Sequence, residues 1–381
     1  MEATIQSIKH IASTSDGADR VKIRNALWEA YHSLDTPNDI LGRISALSPQ
    51  LSLTRIGVDC GIFKALANSD SPLKTEVIAE TCSVDPELAG RILRYLATIH
   101  LLRETGRDEF AANLATRVLS GENEESVVHF AFGSLNRVFQ ELPDYLAETK
   151  YQNPSDPTKT PFQIAFKTVL HAFEWLPRDP ERHAHGHRSM MAQRQENWFS
   201  TFPVEKEVGD WSAEPDKALF VDIGGGGGHQ CFRFKAKYPN LPGRIILQDL
   251  PATIARFKPG DGVEAMVHSF YDPQPIKGAK FYYLRNIIHD YPDERCLRII
   301  ENLIPALDKD SRILFDDIVL SNTGVHWRGA SQDMILMTCF AAVERTRDQW
   351  YALLDRAGLK ILDIHTYDAE VESSVIVAVP K

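Results

Sequence analysis

Leu219-Phe220-Val221-Asp222-Ile223 runs directly into five glycines, Gly224 to Gly228, and then His229. A short apolar, partly β-branched run that stops abruptly at glycines reads as a buried strand. The residues that follow, His229 to Tyr238, have helical composition and end at Pro239. The unit is therefore strand, glycine turn, helix. Without Cβ atoms the turn lets a ligand press against the main chain at the carboxyl edge of a sheet.

The neighbouring residues narrow the ligand. A dinucleotide fingerprint G-x-G-x-x-G beginning at Gly224 needs a glycine at position 229, where His stands, and no P-loop Lys-Ser/Thr follows. What remains is an acid before the glycines, Asp222, and another closing the next expected strand, Arg244 to Asp249. A carboxylate at that second position suits a ribose diol, which offers two hydroxyl donors to one acceptor group. A glycine edge with two carboxylates and no phosphate anchor fits a nucleoside without phosphates, of which S-adenosylmethionine is the common one. The competing reading is that the glycines only turn the chain in some other α/β protein.

Composition sets the outer bounds. A chain of 381 residues suits two or three domains. Forty-two Lys and Arg against fifty-two Asp and Glu give a net charge of −10, a poor match to a surface that tracks phosphates, so nucleic acid is not expected as a partner. The five cysteines, Cys60, Cys82, Cys231, Cys296 and Cys339, form no C-x-x-C pair. They read as reduced thiols of an intracellular protein, without a zinc knuckle. No signal-peptide core and no membrane-spanning run is visible, so a cytoplasmic location and no membrane association are expected.

Three regions are expected: 1–120, 121–210 and 211–381. In the first, residues from about 20 to 46 carry helical spacing, with a helix start at Thr36-Pro37-Asn38-Asp39. Leu53 to Leu66 reads as one amphipathic helix, Thr75 to Cys82 and Pro86 to Leu96 as two more, and Leu101 to Phe110 as a β-hairpin. This is a winged-helix pattern. A DNA-reading helix should be rich in cations, but Asp85 to Arg94 supplies only Arg91 and Arg94, so a packing and dimerisation module is the expected use. The second region holds aromatic helices, with Phe130, Phe132, Phe139, Phe162, Phe166, Phe173 and Trp175. Most of these read as core, and some as the roof of an apolar substrate pocket.

From Leu219 onward strand and helix alternate, with strands expected at 219–223, 244–249, 263–270, 280–288, 311–320, 360–367 and 373–379. The alternation predicts a doubly wound, mostly parallel sheet. The last two strands are joined by a short acidic turn, and a terminal antiparallel hairpin marks the methyltransferase form of this sheet. Pro292 is expected in the first turn of a helix whose apolar stripe is Cys296, Ile299, Ile300, Leu303, Ile304 and Leu307. Thr346 to Gln349 has capping-box spacing, and Gly358 closes the helix that it opens.

The reactive group is sought in Leu284-Arg285-Asn286-Ile287-Ile288-His289-Asp290-Tyr291. A histidine at the end of a central strand projects onto the edge where the glycines sit. A neutral imidazole can take the proton from a hydroxyl while that oxygen attacks a methyl sulfonium. A carboxylate at the second ring nitrogen would fix the tautomer, with Glu344 and Asp316 as candidates. The bland alternative is a hydrogen-bonded structural histidine. His183, His185 and His187 alternate around a helix and are joined by no carboxylate pattern, and Asp316 and Asp317 leave a strand in opposite directions, so no metal is expected.

Val221 to His229, Leu247-Gln248-Asp249-Leu250-Pro251, the Leu284-to-Tyr291 block and Val343-Glu344-Arg345-Thr346, in that order, resemble the plant caffeate-type and fungal O-methyltransferase family. The resemblance covers nearly the whole chain. It implies a class I, Rossmann-like methyltransferase sheet with a C-terminal antiparallel hairpin, and an N-terminal all-α, winged-helix-like dimerisation domain. It further implies a homodimer, S-adenosyl-L-methionine as cofactor and a small aromatic or polyketide-type hydroxyl substrate. Carried over, the cofactor would be met by Asp222, Gly224, Gly226, Asp249, Leu250, Ser269, Phe270 and Arg285. His289 would be the base, flanked by Glu344 and Asp316. The substrate would meet His129, Phe132, Met190, Asp290 and Met337.

One position departs from the pattern. The family usually has Asp-Phe or Asp-Met beside the adenine, and here the pair is Ser269-Phe270. Losing a hydrogen bond to a charged group costs roughly 1.5–3 kcal/mol. Some fungal members keep the cofactor site but catalyse pericyclic or dehydrative steps without methyl transfer. In those the histidine of the His-Asp pair tends to be a longer cation, and a histidine of the earlier aromatic helix contacts substrate. His289 favours methylation, while His129 stands where that second feature would lie.

Overall fold

The computed structural model describes residues 2–14, 17–193, 198–209, 211, 217–258, 260 and 262–381. Two compact units divide the chain, one built from residues up to 151 together with 161–193, the other from 152–160 together with 198–381.

The first unit opens on the helices Glu2–Thr14, Gly17–His32 and Pro37–Asp59. Thr36 and Asp39 form a reciprocal capping box at the third, which satisfies two otherwise orphaned backbone donors. The helix expected to run unbroken through Leu66 is interrupted. Gly61 adopts φ +74, and a separate helix, Ile62–Ala67, begins after it. A left-handed residue cannot continue a right-handed helix, and glycine takes that conformation at least cost.

The winged portion follows. Strand β1 is Leu73–Lys74, the helices are Thr75–Cys82 and Pro86–Thr98, and the wing is β2, Arg103–Gly106, with β3, Glu109–Ala111. The sheet order is β1-β3-β2, so the expected hairpin gains a third, two-residue strand. Ile78, Ile92, Leu93, Leu96, Leu102 and Phe110 close the core against Ile62, Phe63 and Leu66. Beyond it lie Glu122–Phe130, a π-helical turn Ala131–Leu135, and Asn136–Glu148. The helix Pro180–Gln193 packs against Glu122–Phe130.

The second unit is a seven-stranded sheet: β4 Ala218–Ile223, β5 Arg244–Asp249, β6 Val263–Val267, β7 Phe281–Arg285, β8 Arg312–Ile318, β9 Leu359–Thr366 and β10 Ser373–Pro380. Its order is β6-β5-β4-β7-β8-β10-β9; the first five are parallel, and β10 runs antiparallel to both neighbours. Every residue of β4 is buried, as expected for a strand covered on both faces. One face packs under Asp293–Leu303 and Arg347–Arg356. The other holds an aromatic group in which Trp198 stacks on Tyr283 at 5.0 Å and Phe220 on Phe234 at 4.5 Å.

Three expected strands are shorter than their apolar runs. The run 280–288 leaves the sheet after Arg285, because Asn286 adopts φ +52 and Ile288–Asp290 forms a 3₁₀ turn. The sixth strand stops at Val267, which leaves Ser269 and Phe270 in the loop beyond it, and β8 stops at Ile318. Pro292 is the residue before the helix Asp293–Leu303, not part of its first turn, and its ψ of 155 is extended.

Candidate active site

The glycine run folds as a tight turn at the carboxyl end of β4. Gly224, Gly226 and Gly228 have φ of +71, +59 and +75. A Cβ on Gly224 would lie 2.7 Å from Ile287 Cδ1, and one on Gly225 would lie 2.4 Å from Asp222 Oδ2. Above Gly226 nothing lies within 4 Å, so the main chain there is open to a ligand. Asp249, at the end of β5, accepts from the Gly226 N–H at 2.8 Å and from the Leu250 N–H at 2.7 Å. The carboxylate thus braces the glycine turn while its remaining lone pairs stay free. Phe270 closes the side of the turn, 3.6 Å from where a Gly224 Cβ would sit. The Ser269 hydroxyl accepts from the Tyr271 N–H at 3.3 Å.

Asp222 lies directly beneath Gly225 and is 1 % exposed. Its Oδ1 has no hydrogen-bond partner, and its Oδ2 accepts only from the Cys231 thiol at 3.6 Å. Burial raises its carboxyl to about 7; Cys231 and Arg285 oppose that rise, while Asp249 and Asp316 add to it. A buried carboxyl with an orphaned oxygen beside open backbone suits a cationic, phosphate-free ligand.

The two acids of β8 separate as strand geometry requires. Asp316 pairs with Arg285 at 3.3 Å and accepts from the phenols of Tyr283 and, at 2.6 Å, Tyr367. It does not flank His289, as the sequence had suggested. Asp317 takes that place, with Oδ1 3.7 Å from His289 Nδ1, because successive side chains of a strand leave on opposite faces. The alternation was visible in the sequence, but the face turned toward His289 was not.

His289 is carried on the 3₁₀ turn and is 7 % exposed. Its Nδ1 lies 2.9 Å from Glu344 Oε1, and its Nε2 lies 3.6 Å from Asp290 Oδ1. The Glu344 N–H donates to Asp333 Oδ1 at 2.9 Å, which ties down the main chain that carries the carboxylate. Burial alone would depress the imidazole, but Glu344, Asp290 and Asp317 outweigh it and raise the ring to about 10. The Asp317 carboxyl is raised as well, with burial the dominant cause there and His289 opposing it. It stands well above the usual range, and both its oxygens lack hydrogen-bond partners.

The expected substrate residues divide between the units. In the first, His129 and Phe132 line a cavity of about 430 Å³ with Arg55, Asp59, Arg137 and His185. The His129 ring stacks on His185, with centroids 4.3 Å apart and planes 7° from parallel. Burial, then Arg55 and His185, lower the His129 pKa. Met190, on the helix Pro180–Gln193, is half-buried and is not among the residues lining that cavity. In the second unit Asp290 follows His289, and Met337 is half-buried on the helix Trp327–Phe340.

Residues 55–118 match the model of the O-methyltransferase dimerisation domain, and residues 139–360 match that of the O-methyltransferase domain. The chain belongs to the O-methyltransferase family. Demethylsterigmatocystin 6-O-methyltransferase of Aspergillus parasiticus is 39 % identical over 381 residues, covering 100 % of this chain and 98 % of that protein. Two solved structures superpose with a TM-score of 0.93 at 40 % identity, one described as "A Pericyclic Reaction enzyme" and the other as LepI in complex with SAM. Each covers 100 % of this chain, and 99 % and 98 % respectively of the solved chain. Among the described residues no helix is long and apolar enough to cross a membrane, and no group of three His, Cys, Asp or Glu could hold a metal ion.

Proposed function

We propose that this protein methylates a hydroxyl of a small aromatic or polyketide-type metabolite, with S-adenosylmethionine as methyl donor and His289 as general base. The observation that carries the reading is the placement of His289. Glu344 occupies Nδ1 at 2.9 Å, which leaves Nε2 as the nitrogen that exchanges a proton with the acceptor. When bound, the cofactor supplies a methyl group already activated by its positive sulfur. Gly226 offers open main chain to it, Asp249 and Leu250 the ribose contacts, and Phe270 an apolar wall, with Gly224, Ser269, Arg285 and Asp222 nearby. His289 takes the hydroxyl proton as the C–O bond forms, and Glu344 holds the resulting imidazolium. Alignment of oxygen and methyl supplies much of the rate, on the order of 7–11 kcal/mol in favourable cases.

A second reading rests on the same histidine. Three carboxylates around one imidazole, with its pKa raised to about 10, make His289 a cationic donor at neutral pH. Such a group stabilises a developing oxyanion in a pericyclic or dehydrative step without accepting a proton.

Homodimerisation is supported by the dimerisation-domain match and by the exposed Trp28, Leu41, Ile44 and Leu47 of the N-terminal helices and Leu34 of the turn between them. The deciding experiment incubates purified protein and S-adenosylmethionine with a panel of phenolic and polyketide acceptors, demethylsterigmatocystin among them. Mass analysis of product and spent cofactor gives the answer. A gain of one methylene mass with S-adenosylhomocysteine supports methylation. An isomer, or loss of water, with intact cofactor replaces it with the second reading.

A further inference from the structure

Residues 343–345 grip the turn that carries His289 from both its side chain and its main chain. The Val343 N–H donates to the His289 carbonyl at 3.4 Å, and Glu344 Oε1 holds the imidazole Nδ1 at 2.9 Å. The guanidinium of Arg345 donates to the carbonyls of Ile288 and Tyr291, each at 3.0 Å. These two carbonyls bracket the His289-Asp290 pair. The same guanidinium is anchored on Asp293 Oδ1 at 2.8 Å and lies 5.8 Å from the Trp350 ring centroid. Arg345 is 2 % exposed, although Asp293 is not buried.

We propose that Arg345 is a positioning residue, whose fork on the Ile288 and Tyr291 carbonyls holds the His289 imidazole against Glu344. The inference rests on the reading of His289 as the reacting group. A guanidinium presents its donors in a rigid plane, so two carbonyls of one turn are fixed relative to each other. Because Glu344 and Arg345 are adjacent, any slide of the 343–345 segment moves both grips together. Loss of the fork frees the turn to rotate the ring away from its carboxylates. A purely structural arginine would stabilise the fold without setting the ring's ionisation.

The test uses the full chain labelled with ¹⁵N-histidine, with the His289 signals assigned by their absence in His289→Gln. Arg345→Met and Arg345→Lys are compared with wild type, and near-ultraviolet circular dichroism confirms folding. In folded Arg345→Met the downfield Nδ1–H signal should broaden or vanish, and the His289 titration should fall by about one unit or more as its carboxylates recede. Arg345→Lys, which keeps the charge and one donor, should lie between. Should Arg345→Met not fold, Arg345→Lys and Asp293→Asn, which removes the anchor, carry the same comparison. A His289 signal and titration unchanged from wild type in the folded variants overturns the proposal. The readout is independent of turnover. Methyl transfer that persists in His289→Gln refutes the base, and leaves the Arg345 comparison to stand or fall alone.

Discussion

His289 and Glu344 are 55 positions apart in the chain, and their Nδ1 and Oε1 atoms lie 2.9 Å apart in a site where both side chains are buried. The imidazole sits on the turn after β7 and the carboxylate after the helix Trp327–Phe340. The second oxygen of Glu344 has no hydrogen-bond partner, and Asp290 and Asp317 approach the ring only at 3.6 and 3.7 Å, so the Nδ1–Oε1 contact is the shortest that orients it.

Glu344→Gln keeps the shape of that contact but removes its charge. The amide can still accept from Nδ1–H, yet it no longer stabilises the imidazolium that forms when the hydroxyl proton is taken. Turnover is expected to fall by about 10²–10⁴-fold, the usual range for disabled general-base catalysis, with cofactor affinity unchanged. Steady-state methyl transfer beside calorimetric titration of S-adenosylmethionine checks both halves. Equal loss of affinity and turnover would assign Glu344 to folding instead.

The pH profile separates the two readings of His289. A base must be neutral to work, so with a ring raised to about 10 the rate of methyl transfer should climb through pH 7–10. A cationic donor works only while charged, so a pericyclic or dehydrative rate should be flat at neutral pH and decline toward 10. Stability follows its own sign. A folded pKa above the unfolded value of 6.5 gives stabilisation that is full below 6.5 and lost as pH rises through about 10. The melting advantage of wild type over His289→Gln should therefore shrink across that window.

The sheet, its terminal hairpin and the glycine turn were legible because each has a local signature. Alternation of strand and helix, two adjacent β-rich runs and a block of five glycines need no tertiary knowledge. The ends of strands were not. The apolar run 280–288 looks continuous, and only the left-handed Asn286 reveals that the chain leaves the sheet at Arg285. Asp316 and Asp317 show the same limit. Alternation says that they diverge, but which one meets His289 depends on the packing of the turn, and Asp316 is instead occupied by Arg285, Tyr283 and Tyr367. Arg345 stands within the Val343-to-Thr346 block with no role of its own legible there, and its grip on two distant carbonyls had no signature in the sequence.

Two glycine substitutions should differ in degree. Gly224→Ala places a methyl 2.7 Å from Ile287 Cδ1 at φ +71, whereas Gly226→Ala meets open space at φ +59. Both incur the left-handed backbone penalty of roughly 1–2 kcal/mol, and only Gly224→Ala adds a clash. Thermal melting should show the larger loss for Gly224→Ala. Titration with S-adenosylmethionine should show that Gly226→Ala weakens binding out of proportion to its effect on stability, because its new methyl fills the ligand's approach to the main chain.

Asp222→Asn should stabilise the protein without ligand at neutral and alkaline pH. The buried carboxyl is raised from 3.8 to about 7, so ionising it in the folded state is disfavoured relative to the unfolded chain. Its contribution is therefore full below pH 3.8 and is lost as pH rises through about 7. By the conversion of about 1.4 kcal/mol for each pH unit, that loss is on the order of 4 kcal/mol at most. The amide removes this dependence while keeping the volume beneath Gly225. Urea unfolding at pH 5 and pH 8 should show the variant gaining on wild type at the higher pH, whereas its affinity for the cationic cofactor should fall. A variant less stable than wild type at both pH values would mean that the carboxylate is compensated in the folded protein by more than the Cys231 thiol and Arg285.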